Sequence, residues 1–167
     1  GGVTVVVAST PQGQGHRTVL AQVVAAELGI VPTAIRVSTE LDTGRDAWSI
    51  ASGNYSCRFA GAVASAALRG AGVLRLQLAR LAAARLDCDP EEIAFGEGRV
   101  FVKTAAERGF DFRRLAGEVH WAASTLPQGL EPASSVTVAW SPDVLQPPDD
   151  ADRINGSAAY GFVFDFC

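Results

Sequence analysis

Methionine is absent from this sequence of 167 residues, and histidine and cysteine are scarce, with two and three residues respectively. Two histidines and the lack of any Cys-x-x-Cys spacing argue against a zinc site of the usual Cys/His kind and against an iron–sulfur cluster. An odd number of cysteines also argues against a disulfide framework. This usage fits a reducing compartment, so we expect a cytoplasmic protein with no metal-ligand set in this chain.

Basic residues and long apolar runs are also in short supply. Lys and Arg number 14 against 18 for Asp and Glu, which gives a formal net charge of −4. Because no basic stripe is available to neutralise phosphates, we expect no nucleic-acid partner. No uninterrupted apolar run approaches the length of a membrane span, so we expect no membrane contact.

The composition that remains is that of a globular domain. Hydrophobic residues make up 48% and charged residues 19% of the chain, which is enough for one domain with a real core. The chain has no initiating methionine and stops at Cys167 within an apolar run. We therefore expect it to be a piece of a longer protein.

The order of the predicted elements favours an α+β fold. An apolar run at 3–8 predicts a buried strand, and helical spacing at 16–28, ended by Gly29, predicts a helix. Gly70 and Gly72 predict a kink in the longest helix. Helices packed on one face of a mixed β-sheet, in two layers, accommodate this order best. The further predicted elements are strand 35–39, helix 59–86, hairpin strands 93–95 and 99–103, helix 112–124, and strands 135–140 and 159–166.

The most informative segment is the turn between the first strand and the first helix, which reads Gly13, Gln14, Gly15 and His16. Such a turn aims backbone N–H groups and a helix N-terminus at one point, which suits an anion such as a phosphate. The glycines let the backbone approach a ligand, and Gln14 can donate and accept hydrogen bonds. His16 either caps the helix or bonds the ligand. The alternative is a tight turn without any ligand, because the segment is neither a P-loop nor a dinucleotide fingerprint.

A second candidate loop lies directly before the long helix. Small residues, hydroxyl groups and an amide are concentrated there, and backbone N–H groups converge again at a helix start. The two loops are predicted to hold opposite parts of one phosphorylated ligand, with Gln14 and Ser52 near each other. The alternative is a solvated loop with N-capping hydroxyl groups. The candidate binding residues of this loop are Ala51, Ser52, Gly53, Asn54 and Ser56.

Other polar residues carry weaker signals. Asp42 and Asp46 do not form an obvious acid/base pair, because nothing places them in an apolar pocket. We expect Glu97 to be exposed in a hairpin turn and His120 to be structural. Cys57 is expected to pack, with a reactive thiol at the helix start as the alternative. No constellation of nucleophile, base and orienting group is visible.

Together the two loops resemble the molybdopterin-binding subunit of the xanthine dehydrogenase, aldehyde oxidase and carbon monoxide dehydrogenase family. That family has, in this order, a Gly-Gln-Gly turn, a helix with a glutamine like Gln22, and a helix end like Ala-Glu-Leu-Gly-Ile at 26–30. An Asp-Thr loop follows, which Asp42 and Thr43 match, and then a small-residue segment like that at 51–58. The resemblance is good over 3–105 and weak beyond.

The resemblance implies a function for both loops. By this resemblance Gln14 and its flanking glycines would contact molybdopterin or molybdopterin cytosine dinucleotide. The loop at 51–56 would hold the pyrophosphate. Family members hydroxylate aldehydes, purines or N-heterocycles with oxygen from water and pass electrons to iron–sulfur centres and FAD. The chain would form one domain, 1–167, within a larger molybdenum-binding domain, with a cofactor-loop lobe at 1–105 and a return helix and strands at 106–167.

The departures from the family imply that this chain carries no catalytic residue. The family's catalytic glutamate lies in a Gly-Glu motif near the end of a much longer chain, and Glu97 does not occupy that place. The isolated chain is therefore expected to be inactive. Its expected partners are the rest of the molybdenum subunit, iron–sulfur and FAD subunits or domains, a small-molecule substrate, and further copies held by exposed apolar surface. The alternative is a non-enzymatic nucleotide-binding or interaction module.

Overall fold

The first part of the chain forms a strand–helix–strand unit. A computed structural model describes residues 2–40, 42–44, 46, 59–130 and 135–139. Strand β1 (Val3–Val6) and strand β2 (Ile35–Ser38) are parallel neighbours, and helix α1 (His16–Leu28) connects them. Because the strands are parallel, both carboxyl ends lie at the same edge, where the N–H of Val7 donates to the carbonyl of Ser38 at 3.1 Å.

Helix α1 has the bounds that the sequence predicts. Its apolar positions Leu20, Val24 and Leu28 are buried and face the core. Gly29 follows in the left-handed conformation at φ 65°, and its N–H bonds to the carbonyl of Ala25, which ends the helix. A 3₁₀ turn, Pro32–Ala34, then leads into β2.

The long helix begins with a wider turn. Residues Phe59–Ala64 are π-helical, and the hydroxyl of Ser65 donates to the carbonyl of Ala60 at 3.3 Å. Helix α2 (Ser65–Leu86) follows without a break through its 22 residues. Helix α2 is thus continuous through Gly70 and Gly72, and the kink predicted there stays a prediction. A Cβ at Gly70 would lie 3.4 Å from the side chain of Val138, which is an ordinary van der Waals contact, so packing there does not require glycine.

The helix over Phe59–Leu86 is long and apolar enough, by length and composition, to cross a membrane, with a mean hydropathy of 1.2 in its best window. Counting uninterrupted apolar residues missed this property because arginines interrupt the run. Only 6% of that window is buried, and Leu68, Val73 and Leu76 are exposed. In the second half of the helix Leu78, Leu81 and Ala82 are buried in the core.

A three-stranded antiparallel sheet follows α2. Strand β3 (Ile93–Gly96), strand β4 (Arg99–Val102) and strand β5 (Ala105–Asp111) pair in sequence order. The turn between β3 and β4 places Glu97 and Gly98 at positive φ, as a two-residue hairpin turn requires. Glu97 is exposed, which confirms its prediction.

The final described helix is shorter than predicted. Helix α3 (Phe112–Trp121) is capped by Asp111, whose carboxylate accepts from the N–H of Arg114 at 3.1 Å. It ends before a 3₁₀ turn, Ala123–Thr125, so the predicted bound at 124 is too late. Residues 135–139 alternate between exposed and half-buried side chains but have no strand assignment. The predicted strand at 159–166 lies outside the described residues.

The α+β class is confirmed, and the described strands belong to two sheets. Helices α1 and α2 pack together, the parallel pair lies against α1, and the antiparallel sheet lies against α2. The N–H of Gly98 donates to the carbonyl of Gly29 at 2.8 Å, which joins the end of α1 to the hairpin. The core side chains from both sheets and all three helices include Leu28, Ile35, Leu78, Ala82, Ile93, Val100, Val102, Phe112 and Leu115.

Candidate ligand-binding turn

The glycine-rich turn lies at the carboxyl edge of the parallel strands and opens to solvent. Residues 12–15 are all exposed. Gly13 and Gly15 have φ of +92° and +72°, and a Cβ built on either would meet nothing within 4 Å. The side-chain oxygen of Gln14 accepts from the N–H of Gln12 at 2.6 Å, which folds the turn on itself. The positive φ values require glycine, and the open space leaves the backbone accessible to a ligand.

His16 is directed into the protein. Its side chain is 2% exposed, and Nδ1 lies 3.1 Å from the hydroxyl oxygen of Ser9. Burial lowers the pKa of His16, because the charged imidazolium is the form that loses hydration. The ring is therefore neutral at neutral pH. Sequence analysis offered a cap or a ligand contact for this residue; the structure shows no cap and gives the imidazole a partner inside the fold.

The imidazole of His16 also stacks on Phe59. The two ring centroids are 3.7 Å apart and the ring planes differ by 3°. Phe59 is the first residue of the π-helical turn before α2. The stack therefore places the start of the long helix directly against the start of α1.

The segment after β2 reaches the same edge. Arg17 donates from Nη2 to the hydroxyl oxygen of Thr39 at 3.1 Å, which links the first turn of α1 to the end of β2. Beyond it, Asp42 accepts from the N–H of Gly44 at 2.9 Å, and its own N–H donates to a carboxylate oxygen of Asp46 at 3.0 Å. The two aspartates thus bind backbone groups of their own turn.

Part of the predicted site lies outside the described residues. This applies to Cys57 and to every candidate of the second loop, and the nearness of Gln14 to Ser52 stays a prediction. The second-loop candidates are Ala51, Ser52, Gly53, Asn54 and Ser56.

Sequence analysis missed the residues that hold the turn in place. Ser9 is a small polar residue before a glycine-rich turn, and only its distance of seven residues from His16 hints at a bond. Phe59 lies 43 positions after its partner, and no local pattern connects the two rings. Such long-range pairs become visible only when the helices are packed.

Outside the turn, the groups with possible chemistry are clusters of metal-ligating residues, Cys88 and His120. Within the described part of the chain, no group of three or more His, Cys, Asp or Glu residues could hold a metal ion. Burial and nearby carboxylates raise the pKa of the Cys88 thiol, so it is a poor nucleophile at neutral pH. His120 is exposed on α3 beside Trp121, so a role in the core does not apply to it.

Comparison with known proteins supplies the family. A family model described as a molybdopterin cofactor-binding domain matches residues 1–166. The large subunit of nicotine 6-hydroxylase from Paenarthrobacter nicotinovorans is 36% identical over 140 residues, which cover 84% of this chain and 17% of that protein. The large chain of carbon monoxide dehydrogenase from Hydrogenophaga pseudoflava is 29% identical over 78% of this chain and 16% of that protein.

Solved structures agree with these matches. Quinoline 2-oxidoreductase from Pseudomonas putida 86 superposes with a TM-score of 0.76 at 27% identity, covering 86% of this chain and 18% of that one. Carbon monoxide dehydrogenase from Oligotropha carboxidovorans superposes with a TM-score of 0.67 at 27% identity, covering 79% and 16%. The chain thus spans less than a fifth of each of these proteins, and the predicted resemblance is confirmed.

Proposed function

This chain belongs to the molybdopterin cofactor-binding domain family, and we propose that its turn at 12–16 binds the phosphate-bearing end of that cofactor. Gly13 and Gly15 offer backbone N–H groups, Gln14 offers its side-chain amide, and His16 holds the turn from behind. When bound, the cofactor supplies the molybdenum centre for hydroxylation at carbon. This chain contributes binding and orientation.

The main support for this proposal is that an exposed turn precedes a helix whose N-cap residue has no side-chain cap. Gly15 occupies the N-cap position of α1 and, as a glycine, supplies no side-chain bond to the first N–H groups of the helix. These groups and the helix dipole favour an anion at this end. The left-handed glycines with open space around them fit a bulky phosphorylated pterin, because no Cβ projects toward it.

The second loop is proposed to hold the pyrophosphate of a cytosine dinucleotide form of the cofactor. Its proposed binding residues are Ala51, Ser52, Gly53, Asn54 and Ser56. The ring of Phe59 supports this assignment, because it anchors the chain beside the first turn three positions after this segment. Phe59 is seven positions after Ser52, and a chain of that length reaches at most about 25 Å, so the loop can reach a ligand at the first turn.

The chain is further proposed to be one domain of a molybdenum hydroxylase, with lobes at 1–105 and 106–167. The relatives named above are large subunits or oxidoreductases many times longer than this chain, which supports the rest of a molybdenum subunit, and iron–sulfur and FAD subunits or domains, as partners. The substrate is proposed to be a small aldehyde or N-heterocycle, and the compartment the cytoplasm. The isolated chain should then show no turnover, since the catalytic glutamate lies elsewhere.

Equilibrium binding tests the cofactor role. Titration of the protein with cytidine diphosphate and with extracted molybdopterin should show saturable binding. Gln14→Ala and Ser52→Ala should each weaken it about tenfold, as expected for one lost hydrogen bond to a charged group. Gln128→Ala is the matched control, because Gln128 is exposed and lies after α3.

Two outcomes would overturn the proposal. The first is that neither ligand binds. The second is that binding is unchanged by both test substitutions, as expected of an interaction module that does not use these loops. Turnover of an aldehyde or purine by the isolated chain with a dye acceptor would contradict its assignment as a part without catalytic residues.

A further inference from the structure

The ligand turn is held at both of its ends by one buried side chain. Ser9 precedes the turn and His16 follows it, and the bond between Oγ and Nδ1 at 3.1 Å closes the segment into a side-chain-linked loop. Both residues are buried, while the residues 12–15 between them are exposed. The exposed turn is thus supported by a pair of groups that solvent does not reach.

The same imidazole makes a second contact, with a different part of the chain. Its face lies on the ring of Phe59 at a centroid distance of 3.7 Å. Phe59 lies three positions after Ser56, the last residue proposed to bind pyrophosphate. One side chain therefore contacts a residue before the first loop and a residue after the second.

We propose that His16 is a positioning residue that sets the shape of the turn at 13–15 and fixes it against the start of the long helix at Phe59, an inference that rests on the proposed function. His16 does not touch the ligand. It acts through Ser9 and Phe59, so that the Gly-Gln-Gly turn meets the cofactor already ordered.

Preorganisation is the physical reason for such an arrangement. A glycine-rich turn loses much backbone freedom when a ligand orders it, and this loss weakens binding. A link between its ends removes part of that freedom before the ligand arrives. The parallel stack restricts sliding of one helix start against the other.

Histidine combines two functions that other residues supply singly. Phenylalanine at position 16 retains a flat ring for the stack but has no partner for Ser9. Leucine at position 59 retains bulk but loses the flat face, whereas tyrosine retains it. His16→Phe, Phe59→Leu and Phe59→Tyr therefore separate the hydrogen bond from the stack.

Hydrogen exchange on the ligand-free protein is the first measurement. We expect His16→Phe and Phe59→Leu to raise the exchange rate of the backbone N–H of Gln12, which donates to the side chain of Gln14, about tenfold, and Phe59→Tyr to leave it unchanged. Leu115→Ala is the control, because Leu115 is buried in α3 and its loss lowers overall stability without touching the turn. Equal rates in wild type and His16→Phe, or an equal rise in Leu115→Ala, would overturn the role of His16.

Binding of cytidine diphosphate and of extracted molybdopterin is the second measurement. His16→Phe and Phe59→Leu should each weaken binding about tenfold, and the double variant should weaken it by less than the product of the two effects, because the hydrogen bond and the stack order the same turn. If wild type binds and Gln14→Ala weakens binding while both positioning variants bind as wild type does, only the role of His16 fails. If wild type binds neither ligand, the proposed function itself fails, and the role of His16 with it.

Discussion

The two ends of α1 use the same backbone conformation for opposite purposes. Gly15 precedes the helix at φ 72° and Gly29 follows it at φ 65°. A Cβ on Gly15 would meet nothing within 4 Å, whereas one on Gly29 would lie 2.5 Å from the backbone N of Gly96. The first glycine therefore keeps a surface open, and the second lets the antiparallel hairpin approach. Positive φ alone does not tell these two functions apart, but the space around the missing Cβ does.

The electrostatic environment of the two ends differs as well. Arg75 donates from Nη1 to the carbonyl of Glu27 at 2.6 Å, lies 3.8 Å from the carboxylate of the same residue, and covers the ring of Phe95 at 4.7 Å. A partly exposed cation thus satisfies the negative end of the helix. The positive end has no side-chain cap and faces solvent. The C-terminal end of α1 is thus covered by protein groups, whereas its N-terminal end is exposed where a ligand is proposed to bind.

The largest expected effect separates the two glycines. Gly29→Ala should lower the free energy of unfolding by about 3 kcal/mol, because a left-handed alanine is strained and its methyl group overlaps the hairpin backbone. Gly15→Ala should lower it by only about 1 kcal/mol, since strain alone applies there. Urea unfolding of both variants measures the difference. Equal losses would show that the packing difference does not matter to stability.

In a binding measurement the variant with the larger effect should be Gly15→Ala instead of Gly29→Ala. Gly15→Ala places a methyl group in the proposed ligand space and should weaken the binding of cytidine diphosphate, whereas folded Gly29→Ala protein should bind as wild type does. If only Gly29→Ala weakened binding, Gly15 would not be the glycine that keeps the ligand surface open.

A smaller effect is expected from removing the cation at the closed end. Arg75→Met should lower the free energy of unfolding by about 2 kcal/mol, because a charged hydrogen bond and a cation–π contact are lost while most of the side-chain packing is kept. The ion pair adds little, as both side chains are about one-third exposed. Arg80→Met serves as control, since Arg80 is exposed on the same helix. A similar loss in the control would refute a specific role for Arg75.

The smallest expected effect is a change in the pH dependence of stability at the open end. Burial lowers the pKa of His16 in the folded protein below its unfolded value of about 6.5. Between these two values the unfolded chain binds more protons, so stability is complete above about pH 6.5 and decreases as the pH falls toward the folded pKa. His16→Phe should flatten this part of the curve, as measured by urea unfolding between pH 7.5 and pH 5. An unchanged slope would mean that another group causes it.

Local patterns predicted the elements that depend on them, and long-range contacts decided the rest. The bounds of α1 follow from the spacing of Leu20, Val24 and Leu28 and from Gly29 at its end. Strand β5, by contrast, was missed, because its sequence Ala-Ala-Glu-Arg-Gly-Phe-Asp has few strand-forming residues and becomes extended by pairing with β4. Tertiary pairing overrode local propensity there.

The candidate turn shows the same division. The sequence located Gly13, Gln14 and Gly15, because a glycine-rich turn between a strand and a helix has a recognisable order. It did not reveal that His16 is buried, since depth depends on which elements cover the residue. The stack on Phe59 required knowledge of how α1 and α2 pack, and the sequence contains no signal for it.

The π-helical start of the long helix makes this region sensitive to chain length. An i→i+5 turn contains one more residue than an α-helical turn, so residues on its far side are rotated by about 100° relative to a regular helix. Deleting a single alanine from Phe59–Ala64 would restore the regular winding and turn the Phe59 ring away from its partner. A one-codon deletion there should therefore be more damaging than most single replacements of the same small residues.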